Sequence, residues 1–142
     1  RLGFQLELAA RNGYRGELQH KGETCLQNLP QWLAGYQPPA SLLHGDLWSG
    51  NIAFDTAAHP VLYDPAVYFG DREADLAMTE LFGGLSQNFY AAYREHWPLD
   101  DGYRWRKTLY NLYHIINHLN LFGGAYRDQA IQMMNTLLKE LA

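Results

Sequence analysis

Leu42-Leu43-His44-Gly45-Asp46-Leu47-Trp48-Ser49-Gly50-Asn51, continued by Ile52-Ala53-Phe54-Asp55 and then by Val61-Leu62-Tyr63-Asp64-Pro65-Ala66, is the stretch around which the 142-residue sequence is organised. It sets one acid, an amide five residues later and a second acid beyond two short apolar runs. Phosphoryl transfer to an alcohol asks for such a set: a carboxylate to orient the hydroxyl and accept its proton late, and oxygen ligands for the magnesium that neutralises nucleotide phosphates. Asp46 suits the first task, because a carboxylate near its ordinary pKa of about 3.9 is ionised at neutral pH. Asn51, in Asp-Leu-x-x-x-Asn spacing, returns an amide oxygen to the same loop, and Asp64 adds an anionic ligand after the second apolar run. Magnesium accepts few carboxylates and leaves its other positions to phosphate and water, so two protein oxygens suffice.

His44 opens a His-x-Asp signature. Bracing of the loop through hydrogen bonds is the better reading of its imidazole than proton transfer, since Asp46 already fits the base role. Gly45 and Gly50 would let the backbone turn tightly on either side of the acid. Trp48 reads equally as a platform for a sugar-like substrate and as a packing residue. A lone His-Gly-Asp carries little, because turns favour Gly and Asp. Joined to Leu47, to Asn51 at its spacing and to Asp64-Pro65-Ala66, it becomes specific.

Outward from the motif, Ile52-Ala53-Phe54 and Val61-Leu62-Tyr63 flank small and turn-forming residues and predict a hairpin with the only strands of the chain. Upstream, Leu2, Phe4, Leu6, Leu8 and Ala9 predict a helix stopping near Asn12-Gly13. Residues 14–23 read as a polar loop, and Thr24 as the cap of a helix through Tyr36 that Pro30 would enter early or break. Downstream the pattern is helical. A segment starts near Asp71 and stops at Gly83-Gly84, a second is capped by Ser86 and runs to Trp97-Pro98, and a third covers Tyr103 to Phe122 with Leu109, Leu112, Tyr113, Ile116, Leu119 and Phe122 on one side. A last helix spans about Arg127 to Leu141. The expectation is a mainly α chain with a small β-hairpin.

The length suits one domain, and a hydrophobic content of 47% can build a core. The formal charge of −4 and the lack of a basic run remove the electrostatic footprint of a nucleic-acid partner. Cys25 is the single cysteine and cannot form an internal disulfide; no signal peptide or membrane-length apolar run is visible, so the compartment reads as cytoplasmic, with no membrane partner. The sequence opens at Arg1, inside an apparent amphipathic helix, which suggests a preceding N-terminal portion.

His44-Gly-Asp-Leu-Trp-Ser-Gly-Asn51, Asp64-Pro-Ala66 and Gly70-Asp-Arg-Glu-Ala-Asp-Leu-Ala77 together resemble the fructosamine kinase (ketosamine 3-kinase) family, a branch of the protein-kinase-like fold related to aminoglycoside and choline kinases. The resemblance continues through Leu81-Phe-Gly-Gly84 and Leu121-Phe-Gly-Gly124, leaving residues 13–40 the least distinctive. It implies that Asp46 is the catalytic base, that Asn51 and Asp64 bind Mg2+, and that the γ-phosphate of ATP moves to the 3-hydroxyl of a sugar-derived ketoamine, small or protein-bound. By analogy with bacterial members the sugar would be of the ribulosamine or erythrulosamine type, and the reaction a deglycation repair step. The resemblance also gives Asp71 a part in holding the catalytic loop. One departure is large. Such kinases cover the phosphates with an N-terminal lobe that carries a strand lysine, yet the lysines here are Lys21, Lys107 and Lys139, none in a Val-Ala-Ile-Lys-like strand, and no glycine-rich phosphate loop is present. The chain therefore reads as the C-terminal, catalytic-loop lobe of an aminoglycoside-phosphotransferase-like α+β fold. Its N-terminal nucleotide-binding lobe lies elsewhere in the polypeptide, and the chain alone is expected to be inactive.

Plainer readings stand beside these. Asp71, Glu73 and Asp75 could form a second metal site, but acids at a helix start are favoured by the macrodipole. His114 and His118 have a zinc-ligand spacing, but Ile115 stands where a zinc protease carries its glutamate, so packing is preferred. Cys25 reads as buried rather than nucleophilic. Tyr103, Trp105, Tyr110 and Tyr113 read mostly as scaffold packing, with one or two able to line a substrate groove. Rival functions are another small-molecule kinase (aminoglycoside, choline or homoserine), a non-catalytic kinase-like binding module, and a metal-dependent hydrolase. The Trp48-Ser49-Gly50 insert and Gly70-Asp71-Arg72-Glu73 argue against the first, and retention of Asp46, Asn51 and Asp64 against the second.

Overall fold

Apolar residues at helical spacing put Gln5, Leu6 and Ala9 on the buried face of α1 (Leu2–Arg11), which stops at Asn12 and Gly13, the latter at φ +92°. In the computed structural model, which describes residues 1–141, this helix belongs to the first of two compact units: residues 1–37 with the chain from Thr108 onward, and residues 38–107. No linker or shift of composition marks that division in the sequence.

In the first unit α2 (Glu17–Trp32) begins seven residues before the expected Thr24 cap. Gly16, at φ +70°, turns the chain into it, and the Thr24 hydroxyl donates one turn back to the His20 carbonyl at 2.9 Å instead of capping. Gly22, which argued for a loop, lies in the helix because α1 packs there: a Cβ at that position would come within 2.6 Å of Leu6 Cδ2. Pro30 neither opens nor breaks the helix; it stands in the last turn, two residues before the end, and the helix stops by Leu33 rather than reaching Tyr36. α6 (Ala125–Glu140) starts slightly earlier than expected and buries Ala130, Ile131, Met134 and Leu137. From α5 (Tyr103–Phe122), whose bounds match the sequence reading, come Leu109, Leu112, Ile115, Ile116 and Leu119. Each fully buried aliphatic of this set contributes roughly 1.5–3 kcal/mol. Phe122, expected on the same side, is 70% exposed. A polar clip crosses this core: Asn120 Nδ2 donates to the Gln5 carbonyl (2.9 Å), and Gln5 Nε2 donates to Asn117 Oδ1 (3.2 Å).

The second unit contains the expected hairpin, β2 (Ile52–Phe54) with β3 (Pro60–Leu62), and a further antiparallel pair that the sequence reading lacked, β1 (Ser41–Leu43) with β4 (Tyr68–Gly70). Leu42 faces Phe69 across the second pair. The strands are three residues long and distant in sequence, so neither carries a local alternation strong enough to read. α3 (Arg72–Leu81) is capped by Asp71, whose side chain accepts from the Glu73 N–H, and α4 (Gln87–His96) by Ser86, which accepts from Phe89. Arg72 ties the end of α4 down, donating to the Trp97 and Pro98 carbonyls while its guanidinium lies 4.0 Å from the Trp97 ring centroid. No helix among the described residues is long and apolar enough to cross a membrane.

Candidate active site

The loop between β1 and β2 is held from three directions, and each hold falls on backbone or amide groups that fix Asp46. From the first turn of α3, Asp75 accepts the His44 N–H at 2.6 Å on one carboxylate oxygen and the Gly45 N–H at 2.9 Å on the other. From the hairpin side, the Tyr63 N–H reaches the Asn51 carbonyl (3.2 Å) and the Ala66 N–H reaches the His44 carbonyl (2.8 Å), while the Tyr63 hydroxyl donates to the Gly50 carbonyl. Within the loop, Asn51 Nδ2 donates to the Asp46 carbonyl (2.9 Å) and to Asp46 Oδ2 (3.1 Å).

His44 acts on both sides of this frame. Its Nδ1 accepts from the Asp46 N–H at 3.3 Å and its Nε2 lies 2.9 Å from the Tyr63 carbonyl, a pair of contacts met by the neutral tautomer protonated at Nε2. Neither ring nitrogen is directed to a carboxylate, which is the geometry of a brace. Gly45 sits at φ +84°, and a Cβ there would collide with the Ala66 carbonyl, so no other residue fits between loop and hairpin. Gly50 lies in a tight 3-10 turn (Ser49–Asn51), where the Trp48 ring covers it and leaves no space for a Cβ.

The oxygen set suits a hard cation. Asn51 is 6% exposed and spends its NH2 on Asp46, which leaves the amide oxygen as the atom that could face a cation. Asp64 is exposed, adopts φ +50°, and stands between the two backbone bonds that fasten the hairpin to the loop. An amide oxygen and a carboxylate are magnesium donors, and two of them leave room for phosphate and water. Trp48 is 38% exposed and meets Phe82 edge-on, with centroids 6.2 Å apart, so it combines a packing contact with an open face.

The three acids read as one helix-start cluster have three different partners. Asp71 caps α3, Glu73 is buried against Arg106 at 2.6 Å, and Asp75 is the carboxylate that reaches the backbone of the Asp46 loop. Sequence reasoning missed Asp75 and Tyr63. Asp75 lies inside the Gly70–Ala77 run, but nothing local separates it from its acidic neighbours. Among the described residues no group of three or more His, Cys, Asp or Glu side chains could hold a metal ion, so the second metal site has no support there. His118 Nδ1 lies 2.7 Å from the His114 carbonyl and its ring packs against Phe122 and Tyr126. Cys25 is buried, and burial, opposed by Lys21, pushes its thiol up to about 11.

Comparison with known proteins places these residues in a defined lineage. The fructosamine kinase family model matches residues 1–140. A probable ketoamine kinase of Synechocystis is 51% identical over 139 residues, covering 98% of this chain and 46% of that protein. The chloroplastic protein-ribulosamine 3-kinase of Arabidopsis thaliana is 43% identical over 141 residues, covering 99% of this chain and 43% of that protein. The crystal structure of a "putative fructosamine-3-kinase" from Thermobifida fusca superposes with a TM-score of 0.85 at 37% identity, covering 95% of this chain and 47% of that one. The chain thus spans about half the length of the curated relatives it matches.

Proposed function

The chain belongs to the fructosamine kinase family, and from that premise we propose that it carries the catalytic loop of an ATP- and magnesium-dependent ketosamine 3-kinase. The full-length protein would transfer the γ-phosphate of ATP to the 3-hydroxyl of a fructosamine- or ribulosamine-type ketoamine, small or protein-bound, releasing ADP. The observation that carries this reading is the pair of hydrogen bonds from the Asn51 amide to Asp46, one to its carbonyl and one to its carboxylate. The second occupies Oδ2 and leaves Oδ1, which has no hydrogen bond among the described residues, to receive the substrate hydroxyl. Asp46 orients that hydroxyl towards the phosphorus and takes its proton as the O–P bond forms. Asn51 and Asp64 would hold the magnesium, whose charge neutralises the phosphate oxygens. His44 and Asp75 keep the loop in register, and the open face of Trp48 offers the sugar a platform. The phosphate-covering loop and strand lysine, absent from these residues, belong in this proposal to an N-terminal lobe of the same polypeptide.

The test is coupled ATP turnover by the full-length protein with magnesium, with and without ribulose-lysine, with the 142-residue chain run alongside. Ketoamine-dependent turnover by the full-length protein and none by the chain alone is the expected result. Turnover indifferent to the ketoamine would transfer the assignment to another acceptor or to hydrolysis, and activity in the chain alone would overturn the placing of the nucleotide site.

Asp75 gives a second handle. Asp75→Ala leaves the His44 and Gly45 N–H groups without their acceptor, and kcat is expected to fall about 10–100-fold, as when a supporting partner of a reactive group is removed. The KM for magnesium-ATP should change much less. Unchanged kcat in a folded variant would show that the hairpin contacts alone hold the loop.

A further inference from the structure

One cleft in the second unit has no part in the reaction as described. It opens between the end of α3, the Gly83-Gly84 connection, α4 and the start of α5, with a volume of about 720 Å³, within the roughly 300–1,000 Å³ of small-molecule sites. It begins one residue beyond Phe82, whose ring meets Trp48, two positions from Asp46. The cleft thus starts at the residue bonded to Phe82, and a substrate whose sugar lay at Asp46 would have to reach it past that aromatic pair.

The charges of the cleft divide into engaged and unengaged sets. Glu80 is held by Tyr103 Oη (2.7 Å) and Lys107 Nζ (2.6 Å), and Asp100 accepts from Arg106 and the Gly102 N–H (both 2.7 Å). Arg94, Arg104 and Asp101, all three exposed, line the same cleft, and their side chains have no ion pair or hydrogen bond among the described residues. The lining as a whole is charge-balanced, Glu80, Asp100 and Asp101 against Arg94, Arg104 and Lys107, and what is left unengaged is two guanidiniums and one carboxylate. That pattern complements a carboxylate flanked by an ammonium, since guanidinium takes carboxylate with paired N–H donors.

We propose that this cleft binds the amino-acid end of a glycated free amino acid, with Arg94 and Arg104 on its α-carboxylate and Asp101 on its α-ammonium. The cleft then sets specificity for the amine half of the substrate, an inference that rests on the ketoamine reading above. It distinguishes a free glycated lysine, which keeps both charges, from a lysine within a protein, whose α groups are amides.

The full-length protein is assayed with ribulose-lysine, the ribulose adduct of 6-aminohexanoate, which keeps the carboxylate alone, and the ribulose adduct of butylamine, which has neither charge. Replacing both arginines (Arg94→Gln, Arg104→Gln) is expected to raise KM about tenfold or more for the first two, with kcat held and the butylamine adduct changed less than about twofold. Asp101→Asn should affect ribulose-lysine alone. Parallel changes for all three adducts, or none, would overturn the proposal. If no ketoamine is phosphorylated, the kinase reading fails and the cleft is judged by calorimetric titration with free lysine. Heat seen with the wild type and lost in the double variant supports the site, and no heat with the wild type at millimolar lysine overturns it.

Discussion

Asp46→Asn in the full-length protein is expected to lower kcat about 10³-fold, inside the span of roughly 10²–10⁴ that a positioned general base supplies, while nucleotide affinity stays nearly intact. The substitution preserves shape. An asparagine at this position still offers an oxygen to the Asn51 amide, now bonded to Asp46 at 3.1 Å, and the Asp46 N–H still reaches His44. On the proposed roles what is lost is the negative charge and the acceptor of the substrate proton, which would matter in the transition state and little in ATP binding. Asp64→Ala should behave differently, raising the KM for magnesium-ATP as well as lowering kcat, and part of its loss should return at higher magnesium. Because Asp64 stands at φ +50°, a conformation that costs alanine about 1 kcal/mol or more and asparagine less, Asp64→Asn is the control that separates the lost ligand from backbone strain. Steady-state kinetics over a magnesium series decide the matter; equal and mild effects at Asp46 and Asp64 would overturn the division of roles.

The placing of acid, amide and second acid on one loop and the hairpin that follows it was legible because all three lie in one local stretch. The longest helix was legible for a related reason, since α5 repeats its apolar positions often enough to fix both ends. Legibility failed where a residue takes its meaning from a distant partner. Gly22 reads as a helix breaker until Leu6 is placed against it. The β1 and β4 strands acquire their identity only by pairing Ser41 with Gly70. Asp71, Glu73 and Asp75 are chemically similar and close in sequence; a helix start at Asp71 was readable, but only the fold assigns Glu73 to Arg106 and Asp75 to the loop. Phe122 obeyed the period of its helix and is still exposed, because periodicity marks a face and not the extent of what covers it.

Of these partnerships the one between Glu73 and Arg106 carries the largest expected stability effect, and Arg106→Ala should destabilise the protein by about 3–5 kcal/mol. The two side chains are 3% and 4% exposed and meet through two parallel bonds, Nε to Oε2 at 2.6 Å and a terminal nitrogen to Oε1 at 2.8 Å. Removing the arginine strands a carboxylate in a site from which water is excluded, and that uncompensated charge, rather than the attraction lost, dominates the cost. The distinction can be measured. Glu73→Leu combined with Arg106→Met removes both charges at similar volume and should recover most of the loss, giving a coupling of several kcal/mol in a double-mutant cycle read by urea denaturation. Additive losses in the two single variants would show that packing and not charge holds this corner. Asp100 contributes a smaller, pH-dependent share. Its side chain is 60% exposed, and the bond from Arg106 holds its carboxyl below the usual range. A depressed folded pKa stabilises the fold above the unfolded value of about 3.9, and that share fades as pH falls through the folded pKa. Because Glu73 lies in the same turn of α3 as Asp75, weakening the pair should also loosen the Asp46 loop, so Arg106→Ala is expected to lose activity at temperatures below its midpoint of unfolding.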